Sequence, residues 1–532
     1  MKKMTNTPES IYNEYLKGTT YKTGIQLYDN VKLNQNFYLG KQWEGANAPD
    51  IEKPVINIVR QAIDYYISML ASDDVGLQPI LPDDTNEDVQ KAIEYLIVDE
   101  MEKVFESIKF KQTLREFLKD CALDGSHALY FWYDPDLENE TDLAGGIRMI
   151  KLDCTNVIFG DPTEQNVEQQ PYIIVVQNLP KDSVIDMFNA NRENIEDSFD
   201  DDTALDEMES YAREVEKYVT VLTKFWKNEQ GIVQVMKSTN KHILMNETSL
   251  EISHYPVSWM SWRKKRNSYH GESTITSVRS NQIMINKYFM MINEYVKKLA
   301  FPKILYDNTK LINGWSNKIE ALGVNGSPRE VIATTTPPAN LGPEVINLLE
   351  NLIAKTKESL GIYDAAVGNV RPDNTSAIIA VQKAASQPLE LQKMDYYQLI
   401  EDSVRIMLDL MAANYGIRPI KATLPADDPE LQGEMIDVEI PFNFADLASN
   451  KIQLVIEVGA AAYWSELMQT QTIDNMFRAG IIPDPKTYVE QMPNGIIKSK
   501  QDIIEAIEKN QQMMQEQAQQ QANVDLSGVM QG

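Results

Sequence analysis

An uninterrupted helix near the middle of the chain constrains the fold most. Residues 272–300 contain neither glycine nor proline, and Pro302 ends the segment. At 1.5 Å per residue the predicted helix spans roughly 40 Å. It carries more apolar surface than one flanking helix covers, which predicts burial on two sides. The apolar positions are Ile275, Val278, Ile283, Ile285, Tyr288, Phe289, Met291, Ile292, Tyr295 and Leu299.

A small mixed module and a second helix follow. Residues 301–342 are punctuated by glycine and proline, and strands are predicted at 303–306 and 330–333. Pro343 occupies a favourable first-turn position for the second helix, which Gly361 closes. The sequence therefore predicts two helices that flank a short strand-containing module.

A third helix is predicted after a loop over residues 363–373. Asn374, Thr375 and Ser376 can cap its start, and the helix extends to about Tyr415. Pro388 interrupts it, because proline removes a backbone donor and clashes with the preceding turn. We therefore expect a kink or a break at that position.

The rest of the chain alternates between predicted helices and strands, which predicts an α+β fold that is mostly helical. Helices are predicted over 8–37, 54–70, 87–122, 465–479 and 499–521, strands over 75–81, 128–133, 146–152, 172–177, 435–441 and 453–458, and a hairpin over 218–237.

The charge balance is strongly acidic. The 532 residues include 78 aspartates and glutamates against 50 lysines and arginines, for a net charge of -28. A protein that holds DNA tightly through its phosphates shows a basic surface. The chain either does not contact nucleic acid or contacts it without holding it.

Cysteine content and hydropathy predict where the protein is made. Cys121 and Cys154 are the two cysteines, which is typical of a reducing compartment. The longest apolar run, 128–133, is far shorter than the roughly 18 residues of a membrane span. The first residues also have no apolar segment typical of a signal peptide. We expect synthesis in the cytoplasm and no membrane partner.

Motifs for enzyme chemistry are missing from the sequence. No phosphate-binding glycine loop precedes a Lys-Ser or Lys-Thr pair, and no Gly-x-Ser-x-Gly elbow is present. The histidines are scattered, and neither cysteine belongs to a Cys-x-x-Cys pair. We therefore expect no catalytic, cofactor or metal site.

One basic cluster stands out in this acidic chain. Arg263, Lys264, Lys265 and Arg266 are consecutive and precede the long helix. Such a run is typical of a solvated loop between a strand and a helix. The alternative is a contact to DNA or to an acidic partner, and both remain open here.

Three motifs, in this order along most of the chain, resemble the portal proteins of tailed bacteriophages. The first is the segment 37–43, Phe-Tyr-Leu-Gly-Lys-Gln-Trp, followed by Pro-Val-Ile-Asn at 54–57. The second is Tyr-His-Gly-Glu-Ser at 269–273 with Gln282 and Asn286 on the long helix. The third is Thr-Ser-Ala-Ile at 375–378 with Gln382 and Pro388.

The resemblance implies the regional architecture of a ring-forming portal subunit. It assigns 1–271 and 416–480 to the wing, 272–300 and 343–361 to the two stem helices, 301–342 to the clip, 362–374 to the tunnel loop, 375–415 to a kinked tunnel helix and 481–532 to the crown and Gln-rich tail. It also implies a dodecameric ring, the head–tail connector at one capsid vertex of the virion, through which double-stranded DNA is packaged and ejected.

The resemblance also implies partners and site residues. Beyond DNA and further copies of itself, the partners are the terminase large subunit, head–tail adaptor proteins, and the major capsid and scaffold proteins. The tunnel loop supplies Asn369, Val370, Arg371, Pro372, Asp373 and Asn374, the clip docks partners near Lys303, Asn313, Trp315 and Asn317, and the stem interface contains Ile285, Phe289 and Ile292.

Two other classes of protein remain possible from the sequence. A structural or scaffolding protein without a channel shares the long helices but does not close into a ring. A metal-dependent nuclease is the weaker alternative, because the acidic run 200–202 lies in a polar stretch without the rigidity that metal ligands need.

Overall fold

A computed structural model describes most of the chain between residues 6 and 458. The described residues are 6–71, 75–80, 101–137, 145–196, 218–302, 304–307, 309–312, 325, 333–335, 342–362, 387–425, 435–449 and 453–458, with 473, 476–478, 488 and 489. Helices and antiparallel sheets both occur, so the fold is α+β. The chain divides into two compact units, Met1–Ala71 with Pro79–Val455 and Ser72–Gln78 with Ile456–Gly532.

The described helices agree in part with the predicted ones. They are, in chain order, α1 (Pro8–Gly24), α2 (Leu27–Leu39), α3 (Ile58–Leu70), α4 (Met101–Ser107), α5 (Phe110–Asp124), α6 (Lys181–Phe188), α7 (Arg192–Glu196), α8 (Thr274–Leu299), α9 (Pro343–Ser359), α10 (Glu390–Asn414) and α11 (Asp446–Ser449). The predicted helices over 465–479 and 499–521 lie largely or wholly outside the described residues.

Two predicted helices are each broken by a left-handed residue. Gln26, at φ 56°, separates α1 from α2, and Lys109, at φ 51°, separates α4 from α5. Neither residue is a glycine, which is the residue that adopts this conformation without steric cost. The single helix predicted over 8–37 is therefore wrong. The predicted helix over 87–122 is interrupted, and its first part lies outside the described residues.

The described strands agree in part with the predicted ones. The strands are β1 (Val75–Ile80), β2 (Ser126–Asp134), β3 (Gly146–Asp153), β4 (Val157–Phe159), β5 (Ile173–Pro180), β6 (Tyr218–Lys227), β7 (Val233–Ser238), β8 (Ile243–Ser249), β9 (Val257–Ser261), β10 (Ile304–Tyr306), β11 (Ala333–Thr335), β12 (Ile417–Pro425), β13 (Met435–Asn443) and β14 (Gln453–Val458). Strands β4, β8, β9 and β12 were not predicted from the sequence. The larger sheets follow the orders β4-β5-β6-β7-β8 and β3-β2-β9, and pairs β1-β14, β10-β11 and β12-β13 complete the set.

Helix α1 covers one face of the five-stranded sheet. Ile11 and Tyr15 pack in a buried cluster with strand residues that include Ile174 and Leu222. The approach is closest at Gly18, where an added Cβ would lie 2.3 Å from a methyl carbon of Ile158. Gly18 therefore allows the helix to lie directly on β4.

Lys22 anchors the end of α1 from inside the core. Its ammonium group is fully buried and donates to the carbonyl oxygens of Cys154, Thr155 and Val157 at 3.0, 2.9 and 2.7 Å. Burial lowers the pKa of Lys22 to about 7, since the charged form loses its hydration. The three carbonyl acceptors match the three protons of the ammonium form.

Replacing Lys22 with methionine is expected to destabilise the protein by about 2 kcal/mol. The variant leaves buried carbonyl groups without donors, and the removal of a costly buried charge offsets part of that loss. Urea unfolding at neutral pH measures the difference. Lys17→Met, at an exposed position of the same helix, is the control and should change stability by less than about 0.5 kcal/mol. Equal losses in the two variants would contradict the anchoring role.

The predicted helix pair is present, and the described part of the module between its helices includes two paired strands. Helix α8 packs against α9, and Ile304, Leu305 and Tyr306 pair antiparallel with Thr335, Thr334 and Ala333. The second strand therefore lies a few residues later than the predicted 330–333. Pro388 falls in a short 3-10 turn, Gln387–Leu389, and α10 begins directly after it.

Candidate functional site

The long helix α8 is buried only in its first half. Its buried side chains all lie between Thr274 and Asn286, where α2, α3 and α5 pack against it. The Ser273 hydroxyl accepts from the Ile275 amide at 3.1 Å and donates to the carbonyl of Ala122 at 2.7 Å. This cap joins the start of α8 to the end of α5.

The second half of α8 exposes a large apolar surface. Met291 is 60% exposed, Leu299 46%, Val296 44% and Phe289 36%. Further exposed apolar side chains lie in the module and on α9, namely Phe301, Ile304, Leu305, Ile312, Val345, Ile346 and Leu348. Apolar surface on this scale is typical of a protein interaction site.

The predicted stem interface residues differ in their environment. Ile285 is fully buried within the subunit, so its side chain belongs to the chain's own core and not to its surface. Phe289, one turn further, is exposed, and Ile292 is half-buried. The difference arises because the packing helices cover only the first half of α8.

A buried polar network, which we call the root network, holds α8 to the segment between α2 and α3. Gln282 donates to the carbonyl of Ile56 at 2.6 Å and accepts from the amide of Ile58 at 3.2 Å. Asn286 accepts from the amide of Ile56 at 3.2 Å and donates to the side chain of Gln42. Gln282 and Asn286 are 0% and 2% exposed, so these bonds are made in the interior.

Further hydrogen bonds hold the segment between α2 and α3 to which the root network binds. Asn57 donates to the carbonyls of Phe37 and Tyr38 at 3.1 and 3.0 Å, and the Trp43 indole donates to the carbonyl of Pro54 at 3.1 Å. The motif residues at 37–43 and 54–57, together with Gln282 and Asn286, therefore meet at one place. The sequence places them far apart and does not show that they bond to one another.

An exposed contact joins the second half of α8 to the same segment. The Glu52 carboxylate pairs with Lys297 and accepts from Asn293 at 3.1 Å. The hydrogen bonds from Lys297 and Asn293 lower the pKa of Glu52. The pair is solvent-exposed, so it orients the helix more than it stabilises the fold.

A polar cavity of about 190 Å³ lies where α8, α9 and α10 converge. Its lining includes Tyr66, Arg263, Gly361, Pro388 and Gln392. The Tyr66 hydroxyl donates to the carbonyl of Leu360 at the end of α9, and burial raises the pKa of Tyr66 to about 12. The cavity marks the junction between the helix pair and α10.

His254 and Asp409 form a compact hydrogen-bonded cluster with Ser253. One carboxylate oxygen of Asp409 accepts from the His254 ring at 2.7 Å and from the Ser253 hydroxyl at 2.7 Å. The bond to Asp409 raises the pKa of His254. Ser253 and Asp409 both hydrogen-bond to Nδ1 of His254. In a catalytic triad the histidine instead bonds the carboxylate through one ring nitrogen and the nucleophile through the other. The cluster therefore fastens the segment before β9 to α10.

His127 is buried in β2 without hydrogen-bond partners on its ring nitrogens. Burial lowers its pKa to about 4, although Asp153, whose Oδ1 lies 3.5 Å from Nε2, acts in the opposite direction. In the unfolded chain the imidazole of His127 takes up a proton near pH 6.5, which is the ordinary pKa of histidine. Stability is therefore fully present above pH 6.5 and decreases as the pH falls towards 4.

The expected loss from His127 is roughly 3 kcal/mol between about pH 7 and pH 4. Urea unfolding at both pH values measures it within each variant, so that differences in baseline stability cancel. His127→Asn should lose less on acidification than the unmodified protein, while His242→Asn, at a half-buried histidine, should lose as much. Identical losses in all three proteins would overturn the assignment.

The other predicted site residues lie outside the described residues. These are the tunnel-loop residues Asn369, Val370, Arg371, Pro372, Asp373 and Asn374 and the clip residues Lys303, Asn313, Trp315 and Asn317. Within the described ranges, no group of three or more histidine, cysteine, aspartate or glutamate side chains is placed to hold a metal ion. Sequence reasoning missed the buried Lys22 and the His254–Asp409 cluster, because both depend on contacts between distant segments.

No model of a known protein family matches the chain, and no curated protein matches it. Among the described helices, none combines the length and apolar character that a membrane crossing requires.

Proposed function

We propose that this chain is the portal subunit of a tailed bacteriophage, which forms a closed ring around double-stranded DNA at one vertex of the capsid. The observation that carries the proposal is the packed helix pair α8–α9. The second half of α8 and the start of α9 expose apolar side chains in the isolated subunit. In a ring, a second copy of the same chain covers this apolar surface.

The arrangement of the exposed side chains favours a ring over a symmetric pair. Phe289 and Val296 are seven residues apart and share one face of α8, as do Met284 and Met291. At about 100° per residue, Met291 and Val296 are separated by roughly 140° around the helix. A ring needs two different surfaces on each subunit, one for each neighbour, whereas a two-fold dimer uses one surface twice.

The charge balance supports a channel that does not hold DNA. With a net charge of -28 per subunit, a ring repels the duplex over most of its surface. Few phosphate contacts mean weak attraction and free sliding. In this proposal the tunnel loop, Asn369 to Asn374, faces the duplex, and Arg371 is its one basic side chain.

The remaining roles follow from the proposed ring. The subunit is not an enzyme and needs no cofactor, since the energy for packaging comes from the terminase large subunit docked on the clip near Lys303, Asn313, Trp315 and Asn317. Head–tail adaptor, major capsid and scaffold proteins contact the ring in the virion. The alternatives are a scaffolding protein without a channel and a metal-dependent nuclease.

Electron microscopy of the purified full-length protein in negative stain tests the proposal. Closed rings with a central hole are the expected result, and light scattering should give a mass of many subunits. Monomers or open filaments as the sole species would overturn it and favour the scaffolding alternative. A nuclease would instead degrade DNA in the presence of Mg²⁺, which agarose electrophoresis detects.

A further inference from the structure

The four consecutive basic residues, which we call the basic turn (Arg263, Lys264, Lys265 and Arg266), are all exposed and lie between β9 and α8. Lys264 pairs with Asp395 on α10 at 2.6 Å. Within the part of the chain that the structure describes, Arg263, Lys265 and Arg266 form no ion pair. Three cationic groups in a strongly acidic chain are therefore left without a bound counter-charge from those residues.

The backbone that presents these side chains is firmly anchored. Trp262, before the turn, is 1% exposed, and its indole donates to Thr274 at 2.7 Å. Lys265 forms a bridge to Ser268 across a left-handed Asn267, which closes a tight turn.

A second set of contacts holds the far side of the turn. Gln165 donates to the carbonyl of Lys265 at 2.6 Å, and Ser268 shares a hydrogen bond of 3.0 Å with Tyr21. Tyr269 and His270, which follow, are each 2% exposed. The positions of the Cα atoms of the basic residues are therefore set by contacts with the core.

We propose that the basic turn contacts the phosphate backbone of double-stranded DNA, which extends the proposed function by naming a DNA-contacting element outside the tunnel loop. The inference rests on the proposed function for the presence of a duplex. Arginine binds phosphate through two parallel hydrogen bonds and lysine binds it as a point charge, so neither requires a particular base sequence. Each subunit then supplies a small attractive patch within a mainly repulsive surface, which restrains the duplex without stopping it.

The salt dependence of DNA binding tests this inference. The full-length protein and a triple variant, Arg263→Gln with Lys265→Gln and Arg266→Gln, are titrated into a short fluorescent duplex and followed by anisotropy. Each phosphate contact contributes about 0.9 to the slope of log affinity against log salt. Three contacts therefore predict that the unmodified protein loses about 40-fold more affinity than the variant between about 50 and 200 mM salt.

A matched control removes the same charge elsewhere. Lys17→Gln with Lys32→Gln and Lys41→Gln replaces three exposed lysines of the N-terminal region, and this variant should keep the salt slope of the unmodified protein. Equal slopes in all three proteins overturn the inference and leave an acidic protein as the partner of the basic turn. Microscopy of the same samples separates the two proposals: rings with an unchanged slope contradict the DNA contact alone, whereas a missing ring in the unmodified protein contradicts the proposed function.

Discussion

Met291→Asp is expected to abolish ring formation while the subunit stays folded. Met291 is 60% exposed in the isolated chain, so an aspartate there costs the subunit little. In the proposed ring a neighbour would cover the same position, and the buried unpaired charge would cost about 3 kcal/mol per interface. That corresponds to a loss of roughly a hundredfold in the affinity of each contact.

Light scattering and circular dichroism together measure this result. Val296→Asp, on the other exposed face of α8, should have the same effect, because a ring uses both faces. Ser280→Asp adds the same charge at an exposed polar position of the same helix and is expected to leave the ring mass unchanged. If both Met291→Asp and Val296→Asp retain full ring mass, α8 does not lie between subunits.

Asn286→Leu is expected to lower the free energy of unfolding by about 4 kcal/mol. Leucine has the same branching and the same number of side-chain heavy atoms, but it leaves the Ile56 amide without its acceptor and the Gln42 side chain without its donor. Ile56 and Gln42 are both half-buried, so water replaces the lost partners incompletely. The expected loss reflects unsatisfied polar groups and not a cavity.

Urea unfolding compares this variant with Asn293→Leu. Asn293 lies seven residues further along the same face of α8 and bonds to Glu52 at the exposed surface. Its replacement should cost less than about 1 kcal/mol, since water satisfies the groups that are released. Similar losses for the two variants would show that the root network contributes no special stability.

Local sequence signals predicted the described elements well where one signal dominates. The absence of glycine and proline from 272–300 predicted α8, and Pro343 marked the start of α9. Pro388 lies in the 3-10 turn directly before α10, while the predicted helical residues 375–386 lie outside the described part of the chain. Strands such as β2, β3 and β5 followed from runs of aromatic and β-branched residues. These features depend on backbone conformation within a few residues.

Contacts between distant segments escaped the same reasoning. Gln26 and Lys109 break predicted helices although neither is a residue that favours the left-handed conformation. Lys22 has an ionisable side chain and lies on a predicted helix, yet it is fully buried because three backbone carbonyls accept hydrogen bonds from its ammonium group. No local signal indicates such a burial, since its partners lie more than one hundred residues away.

The sequence by itself determined that α8 is long and that its apolar residues exceed what one neighbour can cover, because helix length and apolar content follow from residue type alone. Only the tertiary structure decided which of these apolar residues are buried within the subunit and which are exposed. Ile285 and Phe289 are four residues apart on the same side of the helix, yet one is fully buried in the subunit and the other is exposed. The physical reason is that α2, α3 and α5 pack against the first half of α8, and the extent of that packing depends on where those chain segments end in space.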